Sequence, residues 1–363
     1  MKRTGNNINK IFINDALHFS SERGMWRYHQ QLIRHFNEMG VSLICMSDRL
    51  KPIRRQFLQL ATHELIEPFF AASAQADLLV YPFNVTSCFR PPDIAVATVV
   101  HDLIFQQKCQ TTWGARYRRA RIGGTISASS FLITVSATVR SQIVATFPEA
   151  VPPHVLPNHL GTDFSTLCPR SVNLHYAPRI MHLGGSALSK GTVLLLQAFR
   201  LVLEQIPHAT LVLGAMSKHR DWLNRHLTEI SIPAARVEVL PRLTDAELAE
   251  AYANADVHCM PSSAEGFGLP IIEAASQGTP NVLAPLPVFR EILGDTATYF
   301  AERTPSSVAL AIITTLRGDY RERTEQARQR ALGYTFDNIH RQYAVPVFEE
   351  IFAHLERDKK KLC

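Results

Sequence analysis

The sequence lacks any long apolar run. No stretch approaches the roughly 18 continuous apolar residues that a transmembrane helix needs. The first ten residues, MKRTGNNINK, are polar and do not contain the apolar core of a secretory signal. From the residues alone we therefore expect a cytoplasmic protein without a membrane-spanning segment.

Cysteine is scarce and its spacing is uninformative. The six cysteines show no C-x-x-C pair, which argues against a zinc site and against a disulfide framework, so we expect reduced thiols. No G-x-G-x-x-G follows the first predicted strand, which argues against a dinucleotide-dependent dehydrogenase.

The overall composition is that of a soluble globular protein. The chain has 363 residues, 46% apolar and 19% charged, and this length favours two domains. Residues 1–180 carry 19 Lys and Arg against 11 Asp and Glu, whereas residues 181–363 carry 19 against 21. A basic first half suits nucleic acid or an anionic membrane surface. Charge alone leaves both partners open; together with the family resemblance described below, it favours the membrane surface and no nucleic acid.

Strand-like and helix-like patterns alternate along both halves. A strand at 10–14, a glycine-containing loop at 20–24, a helix from about Met25 and a strand at 41–46 together predict a βαβ unit. The same alternation restarts with a strand at Arg179–Leu183 and a loop at 184–191. We therefore predict an α/β protein with two Rossmann-like parallel-sheet domains, at 1–175 and 176–335. One last long helix is predicted from Phe336 to Glu356. The family resemblance described below implies that the C-terminal segment 336–363 packs back on the first domain.

The most constrained stretch is residues 261–278, PSSAEGFGLPIIEAASQG. Pro270 suits the first turn of a helix, and Gly278 suits its end, so we predict a helix from about Pro270 to Gln277. Glu265 then lies in a loop after a strand, and Glu273 lies near the first helical turn. A glycine loop followed by a helix N-terminus offers free N–H groups and a positive dipole end to an anion such as a phosphate.

These residues resemble a known motif. Glu265 and Glu273, eight positions apart around GFGLP, are similar to the E-x7-E motif of glycosyltransferase family 4, whose members are retaining, nucleotide-sugar-dependent enzymes of the GT-B fold. The resemblance extends over nearly the whole chain, through VHDL, VLPN, LTDAELAEAYANA and PVFREILGDTATY in the family's order. GMWRY and VHDL look most like bacterial mannosyltransferases that build O-antigen or other surface polysaccharide.

The resemblance implies a role for each matching residue. Glu273 would accept hydrogen bonds from the ribose, Glu265 would lie beside the transferred sugar, and Lys190 would neutralise the departing diphosphate. His101 would approach the sugar from across an interdomain cleft. The implied catalytic residues are His101, Lys190 and Glu265, and the implied donor-binding residues are Gly24, Ser186, Gly266, Phe267, Gly268, Leu269 and Glu273.

One position departs from the family pattern. The family places an arginine five residues before the lysine, where this chain has Gly185 in the run GGSALSK. Ser186 or Arg242 is the candidate replacement, and the loss of a charge-assisted hydrogen bond costs about 1.5–3 kcal/mol.

The implied reaction is the transfer of a hexose, with retention, to a growing glycan. GDP-mannose is the first hypothesis for the donor, and a UDP- or dTDP-sugar is the alternative. The acceptor is expected to be a lipid-diphosphate-linked glycan at the inner face of the cytoplasmic membrane. No Asp-x-Asp occurs, so we expect no metal and no cofactor. A nucleotide-sugar epimerase or hydrolase and a non-catalytic binding protein remain as alternatives.

Overall fold

The structure, a computed structural model, describes residues 10–13, 23–45, 63, 66–87, 91, 93–106, 113–166 and 177–362. The chain forms two compact units, one made of residues 1–158 and 337–363 and the other of residues 159–336. The units thus divide at Asn158, whereas the sequence placed the boundary at 175, in a segment that lies outside the described residues.

The first unit is built on a parallel sheet. Its six described strands lie in the order β2-β1-β3-β4-β5-β6. Neighbours pair in parallel, as in the register Ile11 to Leu78. The elements are β1 (Lys10–Ile13), α1 (Arg23–Glu38), β2 (Ser42–Cys45), α2 (Glu67–Ser73), β3 (Leu78–Tyr81), β4 (Ala95–Val100), α3 (Trp113–Ala128), β5 (Phe131–Thr134), α4 (Ala137–Thr146) and β6 (His154–Val155).

The C-terminal segment belongs to this first unit. Phe348 packs its ring 4.4 Å from that of Phe36 in α1, and Lys359 forms an ion pair with Asp77. Contacts of this kind, between residues about 300 positions apart, hold the segment against the sheet's helices.

The prediction of one continuous helix from Phe336 to Glu356 is wrong. A short helix, α13 (Phe336–Ile339), is followed by one turn of π-helix at His340–Ala344 and then by α14 (Val345–Leu362). Pro346 supplies the physical reason, because proline has no N–H and cannot donate the regular i to i−4 hydrogen bond. The hydrogen-bonding pattern therefore changes in the turn that precedes it.

The second unit repeats the architecture. Its six described strands are all paired in parallel, in the order β12-β11-β10-β7-β8-β9. The strands are β7 (Arg179–Leu183), β8 (Thr210–Gly214), β9 (Val237–Val239), β10 (Val257–Met260), β11 (Asn281–Leu283) and β12 (Thr298–Tyr299). The helices are α5 (Thr162–Thr166), α6 (Thr192–Gln205), α7 (Arg220–Ile230), α8 (Asp245–Ala253), α9 (Leu269–Ser276), α10 (Pro287–Leu293), α11 (Pro305–Arg317) and α12 (Arg321–Leu332).

This strand order marks one place on the sheet. The chain leaves β7 toward β8 and β9 on one side, and then returns with β10 on the other side. The point between β7 and β10 is therefore the topological switch point, where the loops diverge and open a crevice at the carboxyl ends of the strands. Both predicted loops of the donor site, 184–191 and 261–268, follow these two strands.

Local signals in the sequence account for several of these boundaries. Thr244 caps α8 through a complete capping box with Glu247. Ser136 caps α4 by accepting a hydrogen bond from the Val139 N–H. Gly278, at φ +72°, ends the turn after α9 as predicted.

Two further features bear on the sequence predictions. Cys45 and Cys259 are buried thiols, while the other four cysteines lie outside the described residues. Among the helices described, none combines the length and apolarity that a bilayer-spanning helix requires.

Candidate active site

Two loops from distant parts of the sequence meet at the switch point. Strand β10 pairs with β7 in parallel, with His258 opposite Met181. Beyond the strands, the Ser263 N–H donates to the Ser189 carbonyl at 2.7 Å. The lysine loop and the glutamate loop are thus one structural unit at the carboxyl edge of the sheet.

An ion pair lies between these loops. The Lys190 Nζ donates to both oxygens of Glu265, at 2.9 Å to Oε1 and 3.0 Å to Oε2. The Lys190 side chain is 23% exposed and that of Glu265 is 7% exposed. The Ser262 hydroxyl also donates to Glu265 Oε1, at 2.7 Å. The carboxylate is therefore fixed by a cation and a hydroxyl, with the cation the more accessible partner.

Two glycines permit the close approach of these loops. Gly191 has φ +70°, and a Cβ there would lie 2.3 Å from the Pro261 carbonyl oxygen. Gly268 has φ +101°, and a Cβ there would lie 2.7 Å from the ring of Phe289. Any other residue at either position combines backbone strain with a steric clash. These glycines place Lys190 beside β10 and bring the 266–268 backbone to the start of α9.

The residues from Gly266 to Leu269 form the N-terminus of α9. Gly268 is the residue before the helix, and Pro270 lies in its first turn. The first N–H groups of a helix have no intrahelical acceptor, so an anion next to them gains hydrogen bonds and a favourable dipole. Phe267 is 5% exposed, with its ring 5.6 Å from that of Tyr334, so its side chain packs and its backbone is the part available to a ligand.

Glu273 lies in the second turn of α9 and is only 1% exposed. Its Oε2 accepts a hydrogen bond of 3.2 Å from the hydroxyl of Tyr252, at the end of α8. A ligand hydroxyl can therefore meet this carboxylate only at a narrow edge. The two glutamates of the motif lie in different surroundings, one beside a cation and one beside a phenol.

The loop that lacks the family's arginine has a backbone suited to glycine. Gly185 has φ +63°, and a Cβ there would lie 3.5 Å from the Ala215 carbonyl oxygen. An arginine at this position would therefore be strained in this loop conformation. Ser186 lies half-buried in the same loop, and Arg242 is an exposed residue just before α8, so neither is held against Lys190 by a described contact.

A buried histidine supports this loop from below. The His182 ring lies between the Cys259 carbonyl, 2.9 Å from Nδ1, and the Thr192 hydroxyl, 3.0 Å from Nε2. The Thr192 hydroxyl also contacts the Gly185 carbonyl. Burial, together with the nearby His258 and Lys190, lowers the pKa of His182 to about 4 despite the hydrogen bond to the Cys259 carbonyl. The imidazole is therefore neutral at physiological pH.

His101 belongs to the first unit and is equally buried. It is 7% exposed, and its ring Nε2 lies 2.7 Å from the Pro82 carbonyl. The backbone N–H of His101 donates to Asn84 Oδ1 at 2.6 Å. Burial lowers the pKa of His101 to about 4. The neutral ring donates from Nε2 to the carbonyl, which leaves Nδ1 as an acceptor for a hydroxyl.

Gly24 lies in the first turn of α1, not in the loop that the sequence predicted. It is exposed, and a Cβ would meet nothing within 4 Å. The helix begins at Arg23, two residues earlier than the predicted start at Met25. The rest of the predicted loop, residues 20–22, lies outside the described residues.

Sequence reasoning missed three residues that organise the site: His182, Thr192 and Tyr252. Each is buried and lies inside a regular element, where its polar group is indistinguishable from an ordinary core residue. Only the pairing of β7 with β10 and the packing of α8 against α9 reveal their partners. No group of three or more His, Cys, Asp or Glu side chains in the described ranges is arranged to hold a metal ion.

Comparison with known proteins adds to this geometry. Residues 177–318, which contain both loops, match the family described as glycosyl transferases group 1. This segment is a group 1 glycosyltransferase domain. The sequence-based resemblance to glycosyltransferases is thereby confirmed.

Two relatives of the chain in Escherichia coli are named as mannosyltransferases. The chain is 31% identical to the serotype-specific mannosyltransferase WbdA over 199 residues, which cover 50% of this chain and 24% of that protein. It is 26% identical to O-antigen chain mannosyltransferase B over 302 residues, which cover 79% of each. The chain spans only about a quarter to a third of the length of the WbdA proteins it matches.

The fold of the chain is similar to that of a solved structure. Sucrose-phosphate synthase from Thermosynechococcus elongatus has a TM-score of 0.76 at 17% identity, covering 95% of this chain and all of that one. The predicted GT-B fold, with two Rossmann-like parallel-sheet units, is therefore confirmed.

Proposed function

We propose that the protein is a retaining glycosyltransferase of family 4 that transfers mannose from GDP-mannose to a glycan acceptor in bacterial surface polysaccharide synthesis. The observation that carries the proposal is the pairing of Lys190 with Glu265, at 2.9 and 3.0 Å, beside the N-terminus of α9. The 26% identity to an O-antigen mannosyltransferase across 79% of both chains favours mannose.

The chemistry requires stabilised negative charge. The bond between the sugar C1 and the diphosphate breaks, a bond between C1 and an acceptor oxygen forms, and the acceptor proton leaves with the nucleoside diphosphate. The ammonium of Lys190 and the amides of 266–269 are positioned to bind the diphosphate as its charge grows. We therefore propose that transfer is independent of a metal ion.

We propose the following roles for the other residues. Glu265 contacts the hydroxyls of the transferred sugar, Glu273 accepts hydrogen bonds from the ribose, and Ser186 lies beside the diphosphate. His101, through Nδ1, accepts a hydrogen bond from a hydroxyl of the sugar. Gly24 leaves the start of α1 open to the donor.

A donor screen tests this proposal. The purified protein is incubated with GDP-mannose, UDP-glucose, UDP-N-acetylglucosamine and dTDP-rhamnose, with and without a synthetic mannose-terminated oligosaccharide on a prenyl-type diphosphate. We expect release of GDP that depends on the acceptor and persists in EDTA. Release without acceptor would indicate a hydrolase or epimerase, release from another donor would refute GDP-mannose, and binding without turnover would indicate a binding protein.

We further propose that the acceptor is lipid-linked. We also propose that the first unit contacts the anionic lipids at the inner face of the cytoplasmic membrane. Helix α3 carries four arginines and no acidic residue. Trp113 at its start is 59% exposed and stacks on Tyr117 at 5.6 Å. Exposed aromatic and basic side chains together suit the interfacial region of an anionic bilayer.

Only some of these arginines are available. Arg119 donates to the Phe105 carbonyl at 2.8 Å and Arg121 donates to the Thr86 carbonyl at 3.2 Å, so both have structural roles. Arg116 is exposed. We expect the double variant Trp113→Ala/Arg116→Gln to lose co-sedimentation with phosphatidylglycerol vesicles, while Phe69→Ala, which removes another exposed aromatic of this unit, retains it. Equal binding to neutral phosphatidylcholine vesicles would contradict the proposal.

A further inference from the structure

Tyr252 is the described donor to the second glutamate of the motif. Its hydroxyl donates to Glu273 Oε2 at 3.2 Å, and both residues are buried, at 0% and 1% exposure. A buried carboxylate requires hydrogen-bond donors, and a charge-assisted bond in such surroundings is among the stronger ones. The orientation of the Glu273 carboxylate therefore depends on the position of this phenol.

The phenol is itself held rigidly. The Thr279 hydroxyl donates to the Tyr252 carbonyl at 2.7 Å, which fixes the end of α8. The Tyr252 ring lies edge-on to His258, with centroids 5.5 Å apart and planes at 86°, and 6.3 Å from the ring of Phe164. A side chain enclosed on these sides has little rotamer freedom, so its hydroxyl is a fixed point against which the carboxylate is set.

We propose that Tyr252 is a positioning residue for ribose recognition: by holding Glu273 Oε2, it orients the carboxylate toward the 2′- and 3′-hydroxyls of the nucleotide. This inference rests on the proposed function, in which Glu273 meets the ribose. Tyr252 does not touch the ligand. It acts by restricting Glu273 to one orientation, so that the ribose hydroxyls meet a preorganised acceptor.

The test couples one protein hydroxyl to the ribose hydroxyls. Dissociation constants are measured by calorimetry for GDP and UDP and for their 2′,3′-dideoxy analogues. We expect the wild-type protein to bind its preferred ribonucleotide about 10- to 100-fold more tightly than the dideoxy analogue. In Tyr252→Phe this ratio falls to within about threefold, while the affinity for the dideoxy analogue stays within about twofold of wild type.

A matched control is available in the same unit. The Tyr299 hydroxyl donates to the carbonyls of Phe289 at 3.1 Å and Gly294 at 2.8 Å, not to Glu273. Tyr299→Phe therefore removes a comparable hydrogen-bonded hydroxyl, and we expect it to leave the ribose-to-dideoxy ratio unchanged. A ratio lowered as much in Tyr299→Phe as in Tyr252→Phe would show a general structural effect and overturn the proposal.

A double variant covers the case in which Tyr252→Phe folds poorly. In Tyr252→Phe/Glu273→Gln an uncharged amide replaces the Glu273 carboxylate, so no buried charge loses the hydrogen bond from Tyr252. If Tyr252 acts through Glu273, the double variant has the same ratio as Glu273→Gln alone. Further loss of discrimination in the double variant would overturn the proposal.

The remaining outcomes distinguish a failure of the role proposed for Tyr252 from a failure of the proposed glycosyltransferase function. If the wild-type protein binds neither GDP nor UDP, the proposed function fails and the role of Tyr252 fails with it. If it binds the ribonucleotide and the dideoxy analogue equally, the donor site stands but the ribose role of Glu273 and Tyr252 is refuted. If Tyr252→Phe weakens both nucleotides equally, Tyr252 is structural only.

Discussion

The ion pair between Lys190 and Glu265 leads to a prediction in which affinity and activity change in opposite directions. The perturbation is Glu265→Gln, which removes a negative charge and keeps the shape of the side chain. Both oxygens of this carboxylate accept hydrogen bonds from the Lys190 Nζ, and the Glu265 side chain is 7% exposed. The diphosphate must share a cation that is already neutralised.

The magnitudes follow from the charge and the burial. A unit charge about 5 Å from the diphosphate repels it by roughly 3 kcal/mol for each unit of phosphate charge at an effective dielectric constant of about 20. Allowing for solvent and counterions, we expect Glu265→Gln to bind GDP about tenfold more tightly. We expect the rate of transfer to fall by about 100-fold or more, because the contact with the reacting sugar is lost. Removal of one partner of a mostly buried pair is expected to lower the free energy of unfolding by about 2–3 kcal/mol.

Three assays on one set of variants test this reasoning. Calorimetry gives the GDP affinity, acceptor-dependent release of GDP gives the rate, and urea denaturation gives the stability. Glu204→Gln is the matched control, since Glu204 pairs with Arg200 at 3.1 Å on the surface, where ion pairs contribute about 0–1 kcal/mol. Lys190→Met should weaken GDP binding. If Glu265→Gln weakened GDP binding as well, the carboxylate would be a direct ligand of the nucleotide, and the account of a shared cation would be refuted.

Two further predictions concern backbone and pH. Gly191 has φ +70°, and a Cβ there would lie 2.3 Å from the Pro261 carbonyl oxygen, so Gly191→Ala should lower the free energy of unfolding by about 2 kcal/mol or more and weaken GDP binding. Gly123→Ala in α3, where a Cβ would meet nothing within 4 Å, should change neither quantity. Unchanged GDP affinity in Gly191→Ala would contradict the role of this glycine. His101, His182 and His258 are buried, and burial lowers the pKa of each to about 4. The unfolded chain binds these protons near pH 6.5, so the stability contributed by the neutral buried histidines is fully present above that pH and is lost as the pH falls toward 4, by up to about 3 kcal/mol for each histidine. Urea denaturation at pH 7.5 and pH 5 measures this loss. Equal free energies of unfolding at both pH values would contradict the prediction.

The sequence predicts the parts of the fold that depend on local patterns. Alternating apolar segments predict both parallel sheets, and Pro270 with Gly278 locates α9 within about one residue at each end. Thr244 identifies its helix because a capping residue acts through its own neighbours. These features are local, so one stretch of sequence contains both interacting groups.

Other features depend on contacts that no single stretch contains. Local patterns do not separately predict the helices Ala137–Thr146, Arg220–Ile230 and Pro287–Leu293. The motif identifies Glu273 but not the phenol that holds it, because Tyr252 reaches the carboxylate only after α8 packs against α9. The left-handed backbone of Gly185, at φ +63°, is likewise a property of the folded loop that no local pattern predicts.

The most direct measurement of the central claim is a crystal structure of the protein with GDP-mannose or GDP bound. The account predicts the diphosphate within hydrogen-bond distance of the Lys190 Nζ and the amides of 266–269, with the ribose hydroxyls on Glu273. A nucleotide bound in the same unit but away from Lys190 and the start of α9 would contradict it.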